Sequence, residues 1–166
     1  MIRLRPFKNT DIDKLIDWLE DPKVFTQWCL DKFTYPLTHI QVKDYLERIE
    51  KDENAWAMAA LDQSGELVGH FLMRNANYEN NSIHMGFIIV DSSRRGQGIG
   101  KQMLEAAFTY ASQVLGVHTV TLGVIDVNER AHKCYIKSGL IDIEHKENVI
   151  SFKGESWGVI DMKAEI

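Results

Sequence analysis

Cysteine is nearly absent from this sequence: Cys29 and Cys134 are the only two, 105 positions apart and in no C-x-x-C pair. That excludes a disulfide framework and a cysteine-based zinc site. Three prolines and 11 glycines are too few for a collagenous or linker-rich chain. Positive charge is in deficit, with 19 Lys and Arg against 24 Asp and Glu and a net charge of −5. General nucleic-acid binders and anionic-membrane binders need a basic surface, so neither partner is expected. Residues Met1–Lys8 alternate apolar with basic and lack the apolar centre of a secretory signal. A membrane span needs about 20 mainly apolar residues. The one long stretch without Asp, Glu, Lys or Arg, Ala106–Ile125, carries Thr109, Ser112, Gln113, His118, Thr119, Thr121 and two glycines. It reads as a helix end, a turn at Gly116 and a buried strand. His70, His118, His132 and His145 show no metal-ligand spacing, so no metal is expected. The expectation is a soluble, cytoplasmic protein.

What is present suits one ordinary domain spanning 1–166, with 45% apolar and 26% charged residues. Ile2, Leu4 and Pro6 alternate with Arg3 and Arg5, a first strand. Thr10 caps a helix striped by Ile12, Leu15, Ile16 and Leu19, which Asp21-Pro22 ends. An aromatic stretch with Phe25, Trp28, Phe33 and Tyr35 follows; Trp18, Phe25, Trp28 and Tyr35 read as core and rim. Thr38-x-x-Gln41 is a capping box for a second helix with Val42, Tyr45, Leu46 and Ile49 inward. Residues 55–61 and 67–74 flank Asp62-Gln63-Ser64-Gly65 as a hairpin. A polar loop, 75–81, precedes a strand from Ser82 to Val90. A helix then runs through Gln113 with Met103, Leu104, Ala107, Phe108, Ala111 and Val114 inward. A strand near 119–124 leads to a helix from Asn128 to about Lys137, stopped by Gly139. Final strands near 140–150 and 157–162 flank a turn at Lys153-Gly154. No repeat or domain boundary interrupts this mixed α/β order.

The most informative segment is Val90-Asp91-Ser92-Ser93-Arg94-Arg95-Gly96-Gln97-Gly98-Ile99-Gly100-Lys101. A strand ends, glycines bend the chain and a helix begins, which aims free N–H groups and the helix's positive end at one point. That suits a pyrophosphate, with Arg94, Arg95 and Lys101 adding cationic reach. A Walker A loop needs glycine at Arg95 and a hydroxyl at Gln102; a dinucleotide fingerprint started at Gly96 needs glycine at Lys101. Both fail. From the glycines alone, a turn that uses them only for shape is the other reading.

The pattern that does fit is [Gln/Arg]-x-x-Gly-x-[Gly/Ala], filled by Arg95, Gly98 and Gly100. Here the chain resembles the Gcn5-related N-acetyltransferase (GNAT) family, whose turn holds the pyrophosphate of acetyl-CoA. About 30 residues on, Asn128, Ala131, Tyr135, Lys137 and Gly139 match the family's N-x-x-A-x-x-x-Y-x-K-x-G-F block, with Leu140 in place of phenylalanine. The resemblance covers essentially the whole chain. It implies an α/β fold of the GNAT type, with a mostly antiparallel mixed sheet splayed at the cofactor site and helices on both faces. Arg3-Leu4-Arg5-Pro6, and Phe152 and Gly154 before Trp157, look most like the branch of ribosomal-protein N-terminal and spermidine acetyltransferases.

The resemblance implies acetyl transfer from acetyl-CoA to a primary amine by direct attack in a ternary complex. The acceptor is then a protein N-terminus, a polyamine or another small amine. By the same resemblance the N-terminal helical region walls the acceptor pocket, so part of the set Trp18, Phe25, Trp28 and Tyr35 would touch substrate there. The cofactor site comprises Ile88, Ile89, Val90, Arg95, Gly96, Gln97, Gly98, Ile99, Gly100, Lys101, Asn128 and Tyr135. Backbone groups of Phe87–Val90 would hold pantetheine, with an N–H of Ile88 or Ile89 as oxyanion donor. Tyr135, with a phenol pKa of about 10 against about 8.5 for a thiol, is the candidate acid for the departing thiolate. Its plain alternative is a core aromatic. His84 stands where relatives often carry glutamate and is the candidate base, or else a structural strand histidine. Cys134, beside Tyr135, reads as a buried helix cysteine rather than a nucleophile. A non-catalytic acyl-CoA-binding regulatory module is the rival function. A homodimer is a family-level expectation.

Overall fold

Strand β2 (Trp56–Leu61) shows why this chain folds in layers. Met58 and Ala60 lie in one apolar cluster, and Ala57 and Ala59 in another. Alternate side chains of a strand point to opposite faces, so a strand apolar at every position demands cover on both sides. The computed structural model describes residues 1–166 and supplies that cover. The remaining strands are β1 (Arg3–Pro6), β3 (Leu67–Asn77), β4 (Ser82–Val90), β5 (Thr119–Ile125), β6 (Ile141–Phe152) and β7 (Glu155–Glu165). They form one sheet in the order β1-β2-β3-β4-β5-β7-β6. Every neighbouring pair is antiparallel except β4 and β5.

Helices α1 (Ile12–Trp18), α2 (Pro22–Cys29) and α3 (His39–Glu50) cover one face. Their Ile12, Leu15, Phe25, Trp28, Val42 and Tyr45 meet Leu67, Leu72 and Ile89. Helices α4 (Ile99–Tyr110) and α5 (Glu129–Lys137) cover the other, where Met103, Leu104, Ala107 and Tyr135 meet Phe71, Ile83, Met85 and Leu122. The expected class, a mixed α/β protein with a mostly antiparallel sheet between helical layers, is what the structure has. No helix is long and apolar enough to cross a membrane. The uncharged stretch 106–125 is the end of α4, a π-helical turn (Ala111–Leu115), Gly116 in the left-handed region and β5.

Local departures have identifiable causes. Asp21-Pro22 does follow the first helix, but it also opens α2: the Asp21 carboxylate accepts the N–H groups of Lys23 and Val24, at 2.7 and 3.3 Å, with Pro22 at the first helical position. Thr38 caps α3, accepting the Gln41 N–H at 3.4 Å. The reciprocal half of the box is missing, because Gln41 Oε1 accepts from the Thr34 N–H instead, at 2.8 Å. Strand β3 runs to Asn77, past the expected end at residue 74, because Asn77 still pairs with Ser82. Val114 is exposed rather than inward, since it lies within the π-turn, whose wider winding makes the chain fall behind the α-helical phase.

Candidate active site

The site begins where two strands stop pairing. Strands β4 and β5 are partners from Ser82↔Thr119 to Met85↔Leu122, and no further. Beyond that point β4 keeps β3, through His70↔Ile89 and Gly69↔Val90, while β5 keeps β7, through Gly123↔Asp161 to Ile125↔Val159. The two strands therefore diverge. Gly86–Val90 and Gly123–Ile125 form the walls of a cleft of about 700 Å³.

A bulge sets which backbone groups face this cleft. Phe87 and Ile88 both fall opposite Phe71, with no register partner on β3, and Phe87 has φ +49°. Two residues against one is a β-bulge. The Asp91 N–H donates to the Val68 carbonyl at 2.9 Å. Backbone groups alternate sides along an antiparallel strand, so those of Ile89 face β3 and those of Val90 face the cleft. Of the two residues expected to offer an N–H there, Ile88 has the free ladder position and Ile89 is committed to β3.

The glycine turn closes one end. Gly96 and Gly98 have φ +76° and +74°, and Gly98 is the N-cap of α4 with no side chain capping the helix. Its first N–H groups are thus left for a ligand. Arg94 is not free to help, since it bonds Asp62 at 2.9 Å and Gln97 at 3.2 Å, tying the turn to the β2–β3 hairpin. Gln97 itself is not part of the cleft wall; Ile88, Ile89, Val90, Arg95, Gly96, Gly98, Ile99, Gly100, Lys101, Asn128 and Tyr135 all are. Helix α5 adds three cations: Arg130 and Lys133, which the motif reading overlooked, and Lys137, which it matched without giving it a ligand. Their spacing of three and four places them along one helix face, and that periodicity is the signal that could have found them. The result is a cationic end built from Arg95, Lys101 and α5, in a chain that is acidic overall.

Asn128 is the N-cap of α5, its side-chain oxygen accepting the Ala131 N–H at 3.3 Å. Its amide N–H groups are the part left for a ligand. Tyr135, two turns along, is 8% exposed and lines the cleft. Burial pushes its phenol pKa up, so it holds its proton across the physiological range. Burial likewise raises the Cys134 thiol, which sits 3.3 Å from where a Cβ on Gly100 would stand. Glycine there lets α4 and α5 approach.

His84 lies on β4 before the bulge and outside the cleft wall. Its Nδ1 is 2.9 Å from the Thr121 hydroxyl. Burial, then neighbouring Arg74, hold its pKa at about 4, so the ring is neutral near pH 7. On the opposite side α2 contributes Val24, Gln27 and Trp28 to the wall. The Trp28 indole N–H donates to the Phe87 carbonyl at 2.8 Å.

Residues 2–141 match the acetyltransferase (GNAT) domain family. The chain belongs to that family and is an N-acetyltransferase. Its fold is that of the Vibrio cholerae spermidine N-acetyltransferase solved with CoA and spermine, at TM-score 0.86 and 18% identity, covering 99% of this chain and 95% of that one. A mutant form of the same enzyme gives TM-score 0.81 at 18% identity over 98% and 94%. A form with manganese ions gives 0.77 at 17% over 99% and 92%. The cleft suits the co-substrate of this family: its lining combines cations, uncapped N–H groups, free strand backbone and a protonated phenol.

Proposed function

We propose that residues 1–166 act as a single domain that carries an acetyl group from acetyl-CoA to a primary amine in a ternary complex. The observation that carries this reading is the divergence of β4 and β5 beyond Met85 and Leu122. It provides a slot in which a pantetheine arm can pair with strand backbone. In this reading the pyrophosphate lies against Gly96–Lys101, with Arg95, Arg130, Lys133 and Lys137 around the phosphates. The arm then runs along Ile88–Val90 and brings the thioester to the bulge.

The amine nitrogen, as its neutral minor form, attacks the thioester carbon and the carbonyl π pair moves to oxygen. The Ile88 N–H receives that oxyanion; such a donor is worth about 3–4 kcal/mol in other enzymes. The intermediate collapses by breaking the C–S bond, and the thiolate takes the Tyr135 proton. Solvent returns a proton to the Tyr135 phenolate, and the ammonium proton leaves to solvent. His84 can take it only through water, and only fleetingly, since its conjugate acid is much stronger than an ammonium ion. The acceptor enters from the α2 side, past Val24, Gln27 and Trp28. A polyamine fits best, on two grounds: the acidic charge balance and the likeness of the fold to spermidine N-acetyltransferases. A protein N-terminal α-amine is the competitor.

The test is thiol release from acetyl-CoA across diamines, spermidine, spermine and N-terminal peptides, with product masses. Mono-acetylated polyamine is the expected product. Acetylated peptide alone would move the acceptor to protein N-termini. CoA binding with no thiol release on any amine would favour a non-catalytic acyl-CoA sensor.

A further inference from the structure

The bulge that faces the cleft is held from behind. Phe87 adopts φ +49° without being glycine, a strained conformation that persists only when its surroundings impose it. Here they do. The Phe87 ring packs between Trp28, Phe33 and Tyr45, with centroid distances of 5.0, 5.3 and 5.6 Å. Phe33 stacks on Trp28 at 5.1 Å. Trp28 is 8% exposed and makes one polar contact, the 2.8 Å bond from its Nε1–H to the Phe87 carbonyl.

That carbonyl belongs to the peptide unit whose other end is the Ile88 N–H. A trans peptide is planar, with C=O and N–H pointing in opposite directions. Anchoring the oxygen to α2 therefore turns the Ile88 N–H away from α2. Trp28 and Tyr135 belong to the clusters on opposite faces of the sheet, so that direction is toward the α5 side. A donor on the oxygen also polarises the amide and strengthens the N–H at its far end. One indole bond thus fixes both the direction and the acidity of that N–H.

We propose that Trp28 is a positioning residue for acetyl transfer: its indole N–H holds the Phe87–Ile88 peptide so that the Ile88 N–H meets the oxyanion. The inference rests on the acetyl-transfer reading and gives a helix that sequence motifs pass over a part in the chemistry. It acts on the transition state and not on the cofactor grip, because the glycine turn and α5 hold the phosphates elsewhere.

Trp28→Phe keeps an aromatic ring on Phe33 and removes the donor. Replacing Trp28 by benzothienylalanine, an isostere with sulfur for N–H, tests the same bond if the phenylalanine variant fails to fold. For either variant kcat is expected to fall about tenfold, short of the 10²–10³ for deleting an oxyanion donor outright. The Kd for CoA should stay within about twofold in both, and the isostere, which keeps the packing, should leave the melting temperature nearly unchanged. In spectra of ¹⁵N-labelled protein the Ile88 amide peak should move in the variant, and its response to acetyl-CoA beyond that to CoA should shrink. An unchanged kcat overturns the proposal, as does a kcat lost only in step with CoA affinity or stability. If the wild-type protein acetylates no amine, the functional reading fails on its own. The Ile88 amide still decides this inference in that case: an identical peak and acetyl-CoA response in protein with and without the indole N–H overturns it.

Discussion

Met85 and Leu122 are the last residues that β4 and β5 share as partners. Up to that pair the sheet is continuous; one residue later it opens, with a glycine on each side, Gly86 and Gly123. The cleft is therefore a property of strand pairing and not of a loop. Its shape is set by two ladders that each keep their outer neighbour while abandoning the inner one.

Amide exchange reads this arrangement directly. The Ile89 N–H, turned to β3, should exchange slowly with or without ligand. Those of Ile88 and Val90 should exchange quickly in the free protein and slow at least about tenfold when CoA fills the cleft, because exchange tracks local opening. Equal protection of all three in the free protein would contradict the assigned bulge.

Tyr135→Phe separates chemistry from binding. The ring's burial is kept and only the proton donor is lost, so kcat should drop at least about tenfold, toward the 10²-fold common for general acids, with CoA affinity retained. Burial raises the phenol pKa, so Tyr135 stays protonated and any fall of kcat below about pH 9 comes from another group. Full activity in the phenylalanine variant would make Tyr135 a core aromatic.

Gly98→Ala should act through the backbone. A Cβ at Gly98 meets only Gln102 Nε2, at 3.8 Å, so space is adequate. The difficulty is φ +74°, a region costing about 1–2 kcal/mol for a residue with a Cβ. Relaxing it would re-aim the uncapped N–H groups of α4. KM for acetyl-CoA is expected to rise at least about fivefold with kcat little changed, and Gly98→Asn, which tolerates this region better, should lie between. Steady-state kinetics on the three proteins checks the order.

These residues also mark what local sequence can and cannot carry. Arg95, Gly98 and Gly100, like Asn128 and Tyr135, act through spacing along one turn or helix, and spacing is written in the chain. The choice between Ile88 and Ile89 was not, because it depends on a bulge made by pairing with a distant strand. Helix α2 is hard to read for a different reason: Asp-Pro marks both the end of one helix and the start of the next, and the aromatic stretch of Phe25, Trp28, Phe33 and Tyr35 signals core and rim without fixing an element. The α5 cations were visible at helical spacing, but only the folded chain shows which way that face turns.

Asp11 gives a pH-dependent stability term. Its carboxylate accepts from the Arg5 guanidinium at 2.6 and 2.9 Å and from the Lys8 N–H at 2.8 Å, joining β1 to the start of α1. Burial alone would raise its pKa, but Arg5 and the Lys8 N–H outweigh it and hold it below the usual carboxylate value. A lowered folded pKa contributes stability that is complete above the unfolded value, near about 4, and is lost as pH falls through the folded one. Asp11→Ala should cost about 2 kcal/mol at neutral pH, less than a fully buried pair because Arg5 is 27% exposed. Denaturant titrations should show that gap constant above about pH 5 and shrinking below about pH 4.

His84 poses the sharpest question about proton flow. Its position on β4 next to the cleft invites a base role, yet its surroundings oppose one. Burial and Arg74 hold its pKa at about 4, its Nδ1 is engaged with Thr121, and it stands outside the cleft wall. A base with that pKa is already deprotonated above about pH 5 and cannot produce an acidic limb at higher pH. Any fall of kcat/KM between about pH 9 and 6 must then reflect protonation of the amine itself, whose neutral form is the nucleophile. His84→Ala should accordingly leave that limb in place and change kcat/KM less than about threefold. Loss of the limb, or its displacement by a pH unit, would show that the histidine carries the ammonium proton after all. The same profile with a less basic amine acceptor should shift the limb downward by the difference in amine pKa, a displacement that a histidine titration would not produce.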